Sequence, residues 1–333
     1  MPDLKDGDLV EVDANLGMVK ILSSFNKKFM EFSEQPHIKS PEAGPENQGS
    51  MTSRIILHFT RHAEKGQDPA LNNYEQLMTK TGRQQGLDKG ENRGKVYPTA
   101  VAVGSRITRS KEMAGFEMAG AQQREDITSA DSLTELEQKL DQDLKFGSKL
   151  GVDSRLGFYY QPEMDQAVRK AYKAGRGLEF IINESDVFAQ QRGDRESTTY
   201  SRVSANVAEF IRKYMAVAPR FNKLLEDEGK KKKYGEILER FIGSHAGVMD
   251  VFLCKIIEKI KGADERDKFV YSLTDQMFDY AEGFEIEINN LSNEAEPQVR
   301  IIYAKTDEEN KKIFEFDEII PLATIEEIIK ERS

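Results

Sequence analysis

One cysteine, Cys254, is all the thiol that the 333 residues contain. It cannot close an internal disulfide, and it lies in the apolar stretch VFLCKII, so a reducing, cytoplasmic setting is expected, with Cys254 as a core residue. No apolar run reaches the length needed to span a bilayer. The first residues, MPDLKDGDLVEV, have neither the basic start nor the apolar core of a signal peptide, and none is expected. Excess positive charge is missing too. The net charge of −10 argues against a general nucleic-acid or anionic-membrane binder, while leaving room for one local basic pocket. What is present is 38% hydrophobic and 32% charged residues, the balance of a highly charged globular chain. Its length suits one large domain or two ordinary ones.

Residues 6–22, DGDLVEVDANLGMVKIL, alternate apolar and polar residues on both sides of Asp13-Ala14-Asn15, a hairpin pattern. The next stretch, SEQPHIKSPEAGPENQGS, has almost nothing to bury and reads as a flexible linker, with His37 inert inside it. We divide the chain into a hairpin (1–32), a linker (33–50) and a main domain (51–333). The main domain opens with a buried strand over Arg54–Thr60. A Gly-punctuated helix follows behind a cap at Thr79. PTAVAVGS is a short apolar run of the kind parallel sheets bury on both faces. Helical periodicity marks ITRSKEMAGFEMAGA, with Met113, Phe116 and Met118 available for burial, and LTELEQKLDQDL, with Leu133, Leu136 and Leu140 on one face. About 139–200 is mixed and polar, suited to an inserted lid. A long helix from Tyr200, a loop at Lys230–Lys233, the strand EILERFIGSH, an apolar helix and a late hairpin (GFEIEIN, QVRIIYA) complete the pattern. The tail carries Thr324 and Glu327 at capping-box spacing. Strands interleaved with helices predict an α/β three-layer sandwich, with a mostly parallel central sheet and helices on both faces.

Binding sites in such sheets collect at the carboxyl ends of strands. Two strands end in histidine, LHFTRH and ERFIGSH, and a third is followed by Arg106 and Arg109. Arg61, His62, Arg109 and His245 can therefore converge on one crevice. Arginine forks match phosphate oxygens and stay charged at any working pH. An imidazole among them is held neutral by the surrounding charge and keeps a lone pair for attack on phosphorus. Taken singly, each residue also has a plain structural role: Arg109 in a surface ion pair, His245 as a hydrogen-bonded histidine, Glu64 and Lys65 at a pocket rim. His58, on the parity of His62, reads as a packed strand residue.

Five blocks, in order, carry a resemblance: TRHAEK, LMTKTGRQQG, GSRITRSKEMA, DSLTELE and IGSHAGVM. Together they resemble the histidine phosphatase superfamily, which includes phosphoglycerate mutases and many phosphomonoesterases. The likeness is scattered over residues 54–260. The chain departs from the usual pattern at Arg106 and Ile107, at Glu112 and Met113, and at Ala63 and Ala246, which stand where glycine is common. The resemblance implies a phosphoglycerate mutase-like fold and a metal-independent phosphomonoesterase with no cofactor, acting on a small phosphorylated substrate. It implies that His62 becomes a phosphohistidine, that Arg61, Arg109 and His245 hold the phosphoryl oxygens, and that Glu135 is the proton donor. Glu135 sits among acidic neighbours and fits a solvated helix face equally well; Glu184 and Asp186 in the lid are the competing acids.

A mutase-like phosphotransferase would use the same nucleophile under a sealed pocket. Lid residues Arg155, Arg169, Lys170, Lys173, Arg176 and Arg192 are then candidates to bind a second acidic group of the substrate. A non-catalytic phosphate-binding scaffold and a phosphohistidine phosphatase are further readings. The N-terminal hairpin resembles the final strands of the swivelling phosphohistidine domain of phosphoenolpyruvate-utilising enzymes over some seventeen residues, without that domain's histidine segment. It is read as a remnant with no activity.

Overall fold

The computed structural model describes residues 8–13, 18–24, 51–93, 100–142, 144, 147–291, 296–307 and 309–332. The chain divides into two compact units, Met1–Gln48 and Gly49–Ser333. In the first, β1 (Asp8–Asp13) pairs antiparallel with β2 (Met18–Ser24). The connection between these strands and the linker 33–50 lie outside the described residues.

The second unit runs β3 (Met51–Arg61), α1 (Lys80–Glu91), β4 (Val101–Gly104), α2 (Thr108–Ala121), α3 (Leu133–Asp141), β5 (Leu150–Val152), α4 (Pro162–Lys173), α5 (Gly177–Asn183), α6 (Ser185–Arg192) and α7 (Tyr200–Leu224). It continues with α8 (Glu228–Tyr234), β6 (Ile237–Ser244), α9 (Met249–Lys261), α10 (Ala263–Ser272), β7 (Gly283–Leu291), β8 (Gln298–Thr306), β9 (Lys312–Ile320) and α11 (Leu322–Lys330). One sheet holds seven strands in the order β5-β4-β6-β3-β7-β8-β9. The pairs β5–β4, β4–β6 and β6–β3 are parallel, whereas β3–β7, β7–β8 and β8–β9 are antiparallel. Strands β3, β4, β5, β6 and β8 therefore point one way, and β7 and β9 the other.

The alternation of β3 explains the layering. Ile55, Leu57 and Phe59 are fully buried in the core shared with α7 and α9. On the opposite face α2 packs on β4 and β6, burying Met113, Phe116 and Met118 with Ala102 and Phe241. The sheet is thus the middle of three layers, an α/β sandwich. Two glycines set how closely α2 lies. A Cβ on Gly243 would fall 1.8 Å from the Ser110 carbonyl oxygen, and one on Gly104 would fall 2.3 Å from the Lys111 Cα. Only glycine lets the first turn of α2 rest on the strand ends, which delivers Arg109 to the edge of β6 and β3.

Several local expectations change. The lysine run is not a loop but part of the exposed helix α8, whose start Asp227 caps by accepting from the Lys230 N–H. Thr324 and Glu327 form no capping box, because α11 starts one turn earlier, behind Pro321, and Thr324 is already helical. The segment 139–200 is more regular than its polar pattern indicates: it holds β5 and three helices, α4 to α6, of which α4 buries Met164, Val168 and Ala171. Strand β9, KIFEFDEII, adds a strand beyond the expected late hairpin; its buried Phe314 and Phe316 alternate with exposed charged residues, which mask the apolar pattern. Among the described residues no helix is long and apolar enough to cross a membrane.

Candidate active site

The adjacent parallel strands β4, β6 and β3 end side by side, and each delivers a side chain to one cleft. His62 follows the last residue of β3, His245 follows the last residue of β6, and Arg109 stands in the first turn of α2 after β4. The cleft encloses about 340 Å³ and is lined by Arg61, His62, Arg109 and His245 together with Lys65, Asn73, Asp165 and Arg169, and by Phe158, Tyr160 and Tyr172 on its apolar side. The four residues expected to converge do so. The ring centroids of His62 and His245 are 5.3 Å apart.

His62 is oriented from both ends. Its Nδ1 lies 2.9 Å from the Ala63 carbonyl oxygen, which can only accept, so Nδ1 carries the proton. Its Nε2 accepts from the Arg109 Nε–H at 3.0 Å. The lone pair of the ring is therefore on Nε2, beside the guanidinium. Burial, then the Arg109 charge, push the imidazole well below its usual range, against the opposing pull of the Ala63 carbonyl. It is a neutral base at physiological pH. His245 is driven down in the same direction, first by burial and then by His62, Arg109, Arg61 and Lys65.

The cations are held as firmly. Arg109 is buried, exposed by only 2%. Burial and the neighbouring Arg61 lower it to about 10, so it stays charged. Its far end donates to the Asn73 carbonyl oxygen. Arg61 donates to the Phe278 carbonyl oxygen and lies over the Tyr280 ring at 4.6 Å. Lys65 donates to Asn73 Oδ1. Burial, with Arg109, Arg61 and Arg169 behind it, lowers Lys65 to about 8. Asp250, in the first turn of α9, ties the walls together: it accepts from the N–H groups of Gly247 at 2.6 Å, Val251 at 2.9 Å and Phe278 at 3.4 Å. Burial raises its carboxyl to about 6 against those donors.

The expected acids are elsewhere. Glu135 is exposed and does not line the cleft; its carboxylate accepts from the Ser132 N–H and hydroxyl, both at 2.7 Å, as one half of the capping box that starts α3. Those hydrogen bonds, at the helix N-terminus, hold its pKa below the usual range. Asp186 accepts from the Ser201 N–H and hydroxyl, and Glu184 pairs with Arg176 at 2.8 Å. The carboxylate that does line the cleft is Asp165, in the first turn of α4, 2.7 Å from Arg169 Nε. Of the six basic lid residues, only Arg169 reaches the cleft. Arg155 pairs with Asp153, Arg176 with Glu184 and Arg192 with Glu163, while Lys170 and Lys173 are exposed on α4. Asp165 and Arg169 are at i,i+4 spacing, a pairing signal in the sequence. Asn73 sits in a polar loop and has no such signal.

His58 is buried in a charge cluster, 3.5 Å from Glu239 and 3.1 Å from Glu285, and so serves the sheet rather than the cleft. Glu64 is not among the residues that line the cleft; it accepts from the Thr79 hydroxyl at 2.8 Å. Among the described residues no three His, Cys, Asp or Glu side chains converge as metal ligands. A cleft with two neutral imidazoles, one carrying a directed lone pair, and several fixed cations can bind a phosphoryl dianion and receive it on nitrogen.

No protein-family model and no curated protein sequence matches this chain. Solved structures do. A mycobacterial glucosyl-3-phosphoglycerate phosphatase is similar over 71% of this chain and 90% of its own, at 13% identity and a TM-score of 0.40. A mycobacterial hydrolase is similar over 81% and 97%, at 11% identity and a TM-score of 0.41. A phytase from a Klebsiella species is similar over 85% and 96%, at 10% identity and a TM-score of 0.36.

Proposed function

We propose that the cleft hydrolyses phosphomonoesters through a phosphohistidine on His62. The observation that carries this reading is the His62 geometry: Nδ1–H held by the Ala63 carbonyl, which leaves the ring's lone pair on Nε2, where the Arg109 Nε–H orients it until a phosphoryl group takes its place. The Nε2 lone pair forms the N–P bond as the bond from phosphorus to the ester oxygen breaks. Arg61, Arg109 and the N–H of His245 take the phosphoryl oxygens, and Lys65 adds a fourth donor from the rim. Asp165, the carboxyl group that lines the cleft, protonates the departing oxygen. Water then attacks phosphorus, its proton goes to the Asp165 carboxylate, and the N–P bond breaks to release inorganic phosphate and restore His62. The cations stay in place throughout, so little reorganisation accompanies the charge that develops on the phosphoryl group. The resemblance of the TRHAEK, GSRITRSKEMA and IGSHAGVM blocks to histidine phosphatases supports the same chemistry. A chain retained only as a phosphate-binding scaffold has no need of an oriented lone pair on His62.

The reading is tested by turnover of p-nitrophenyl phosphate and a panel of phosphorylated metabolites with EDTA present. Activity that persists in EDTA, and an acid-labile, base-stable label on His62 that is lost with activity in His62→Ala, are expected. Full activity in His62→Ala would refute the mechanism.

A further inference from the structure

His245 is neutral, so it carries one ring proton, and which nitrogen holds it decides whether it attracts or repels a phosphoryl oxygen. Its Nε2 is turned to Ser105 Oγ at 2.8 Å, a residue that is not among those lining the cleft. Its Nδ1 is buried with no hydrogen-bond partner and is the nitrogen left for a ligand. The ring plane is set by Phe158, edge-on at 5.2 Å.

The hydroxyls around Ser105 restrict the choice. Ser105 and Ser110 are both buried, and their oxygens are 2.8 Å apart. Ser110 Oγ can give its one proton to the Ile107 carbonyl oxygen at 2.9 Å or to Ser105 Oγ, and it accepts from the Ser105 N–H at 2.8 Å. Ser105 Oγ accepts from the Ile107 N–H at 3.0 Å. The proton of Ser105 thus has two destinations, Ser110 Oγ or His245 Nε2. Sent to Ser110, it obliges Nε2 to be the donor and leaves Nδ1 as a bare lone pair facing the phosphoryl oxygens. Sent to His245, it makes Nδ1–H a donor at the one place in the ring without a partner. A buried donor aimed at an anion is favourable, whereas a buried lone pair aimed at one is repulsive.

We propose that Ser105 is a positioning residue for phosphoryl transfer: its hydroxyl donates to His245 Nε2 and so fixes His245 as the Nδ1–H tautomer, which donates to a phosphoryl oxygen. The Ile107 N–H and the Ser110 hydroxyl, which in this arrangement turns its proton to Ser105 Oγ, hold the Ser105 oxygen in place by using its acceptor capacity. The assignment of the role in transfer rests on the phosphatase reading above; the tautomer itself does not.

Long-range proton–nitrogen spectra of the full chain, labelled with 15N-histidine and recorded with and without inorganic phosphate, read the tautomer directly. The protonated-nitrogen shift at Nδ1 of His245 is expected in both, and Ser105→Ala should redistribute it toward Nε2. In the same variant, kcat on p-nitrophenyl phosphate should fall roughly tenfold to a hundredfold with KM nearly unchanged, and Ser105→Thr, which restores the hydroxyl, should recover part of it. An Nε2–H spectrum for His245 in active wild-type protein overturns the proposal by itself, whether or not any variant folds. Unchanged kcat in a folded Ser105→Ala variant overturns it too. Wild-type protein inactive on every monoester would remove the phosphatase reading and the transfer role with it.

Discussion

Replacing Arg109 tests the cleft most directly, because one side chain there serves both the nucleophile and the anion. Its Nε lies 3.0 Å from His62 Nε2, and only 2% of the residue is exposed, so water cannot readily take its place. In Arg109→Ala the phosphoryl oxygens lose charge-assisted donors that strengthen as the transition state forms. One such donor contributes about 3 kcal/mol, or roughly two orders of magnitude in kcat. Arg109→Lys keeps the charge but not the fork, and roughly a tenfold loss is expected. The same substitution changes the nucleophile. The Arg109 charge ranks second after burial among the causes that lower the His62 pKa. In Arg109→Ala the imidazole should therefore titrate at a higher pH than in wild type, yet remain depressed, since burial is unchanged. Steady-state kinetics with p-nitrophenyl phosphate in EDTA read the first effect, and a proton NMR titration of the His62 ring reads the second. If Arg109→Ala turns over within threefold of wild type, the guanidinium takes no part in phosphoryl transfer and the reasoning fails.

Lys65, lowered to about 8, should lose its charge as pH rises from 7 to 9, so KM should climb over that range; Lys65→Arg should flatten the climb, and an unchanged climb would clear Lys65 of anion binding. Asp165→Asn should slow alkyl phosphates far more than p-nitrophenyl phosphate, whose leaving group needs little protonation, while Glu135→Ala should leave both rates unchanged and only weaken the start of α3. A selective loss in Glu135→Ala would return the acid role to that residue. In His58, burial and Arg93 push the pKa down, but hydrogen bonds to Glu239 and Glu285 outweigh them and leave it raised above 6.5. A raised histidine contributes stability that is complete below pH 6.5 and lost as pH rises through the folded-state value. The stability gap between wild type and His58→Gln, measured by urea unfolding, should therefore shrink from pH 6 to pH 9, and a gap that widens would contradict the cluster.

What the sequence determined by itself is local in kind. Alternation and periodicity report burial within one element, so β3, β6, α2, α7 and α9 were legible, and so was the cap at Thr79, which accepts from the Gly82 N–H. The convergence of Arg61, His62, Arg109 and His245 was legible as well, because strand ends in a parallel sheet meet at one edge. The Ser132-Leu133-Thr134-Glu135 spacing also carries a capping signal, and it competes with any catalytic role for the same carboxylate. Tertiary structure sets that carboxylate at the cap, since α3 packs on α2 and leaves Glu135 exposed, outside the cleft. It also decided which charges remain available for substrate. Ion pairing within the 139–200 segment engages four of the six basic residues, Arg155, Arg169, Arg176 and Arg192, and the placement of α4 turns one of those pairs, Arg169 with Asp165, into the cleft. Asn73, 36 residues from Arg109, has no periodic or motif signal, and Ser105, although it lies in the GSRITRSKEMA block, has nothing in that stretch to announce His245, 140 residues away, as its partner. Their roles come from hydrogen bonds between segments that only the packed sheet and its glycine contacts bring within 3 Å, a property of the whole fold rather than of any stretch of chain.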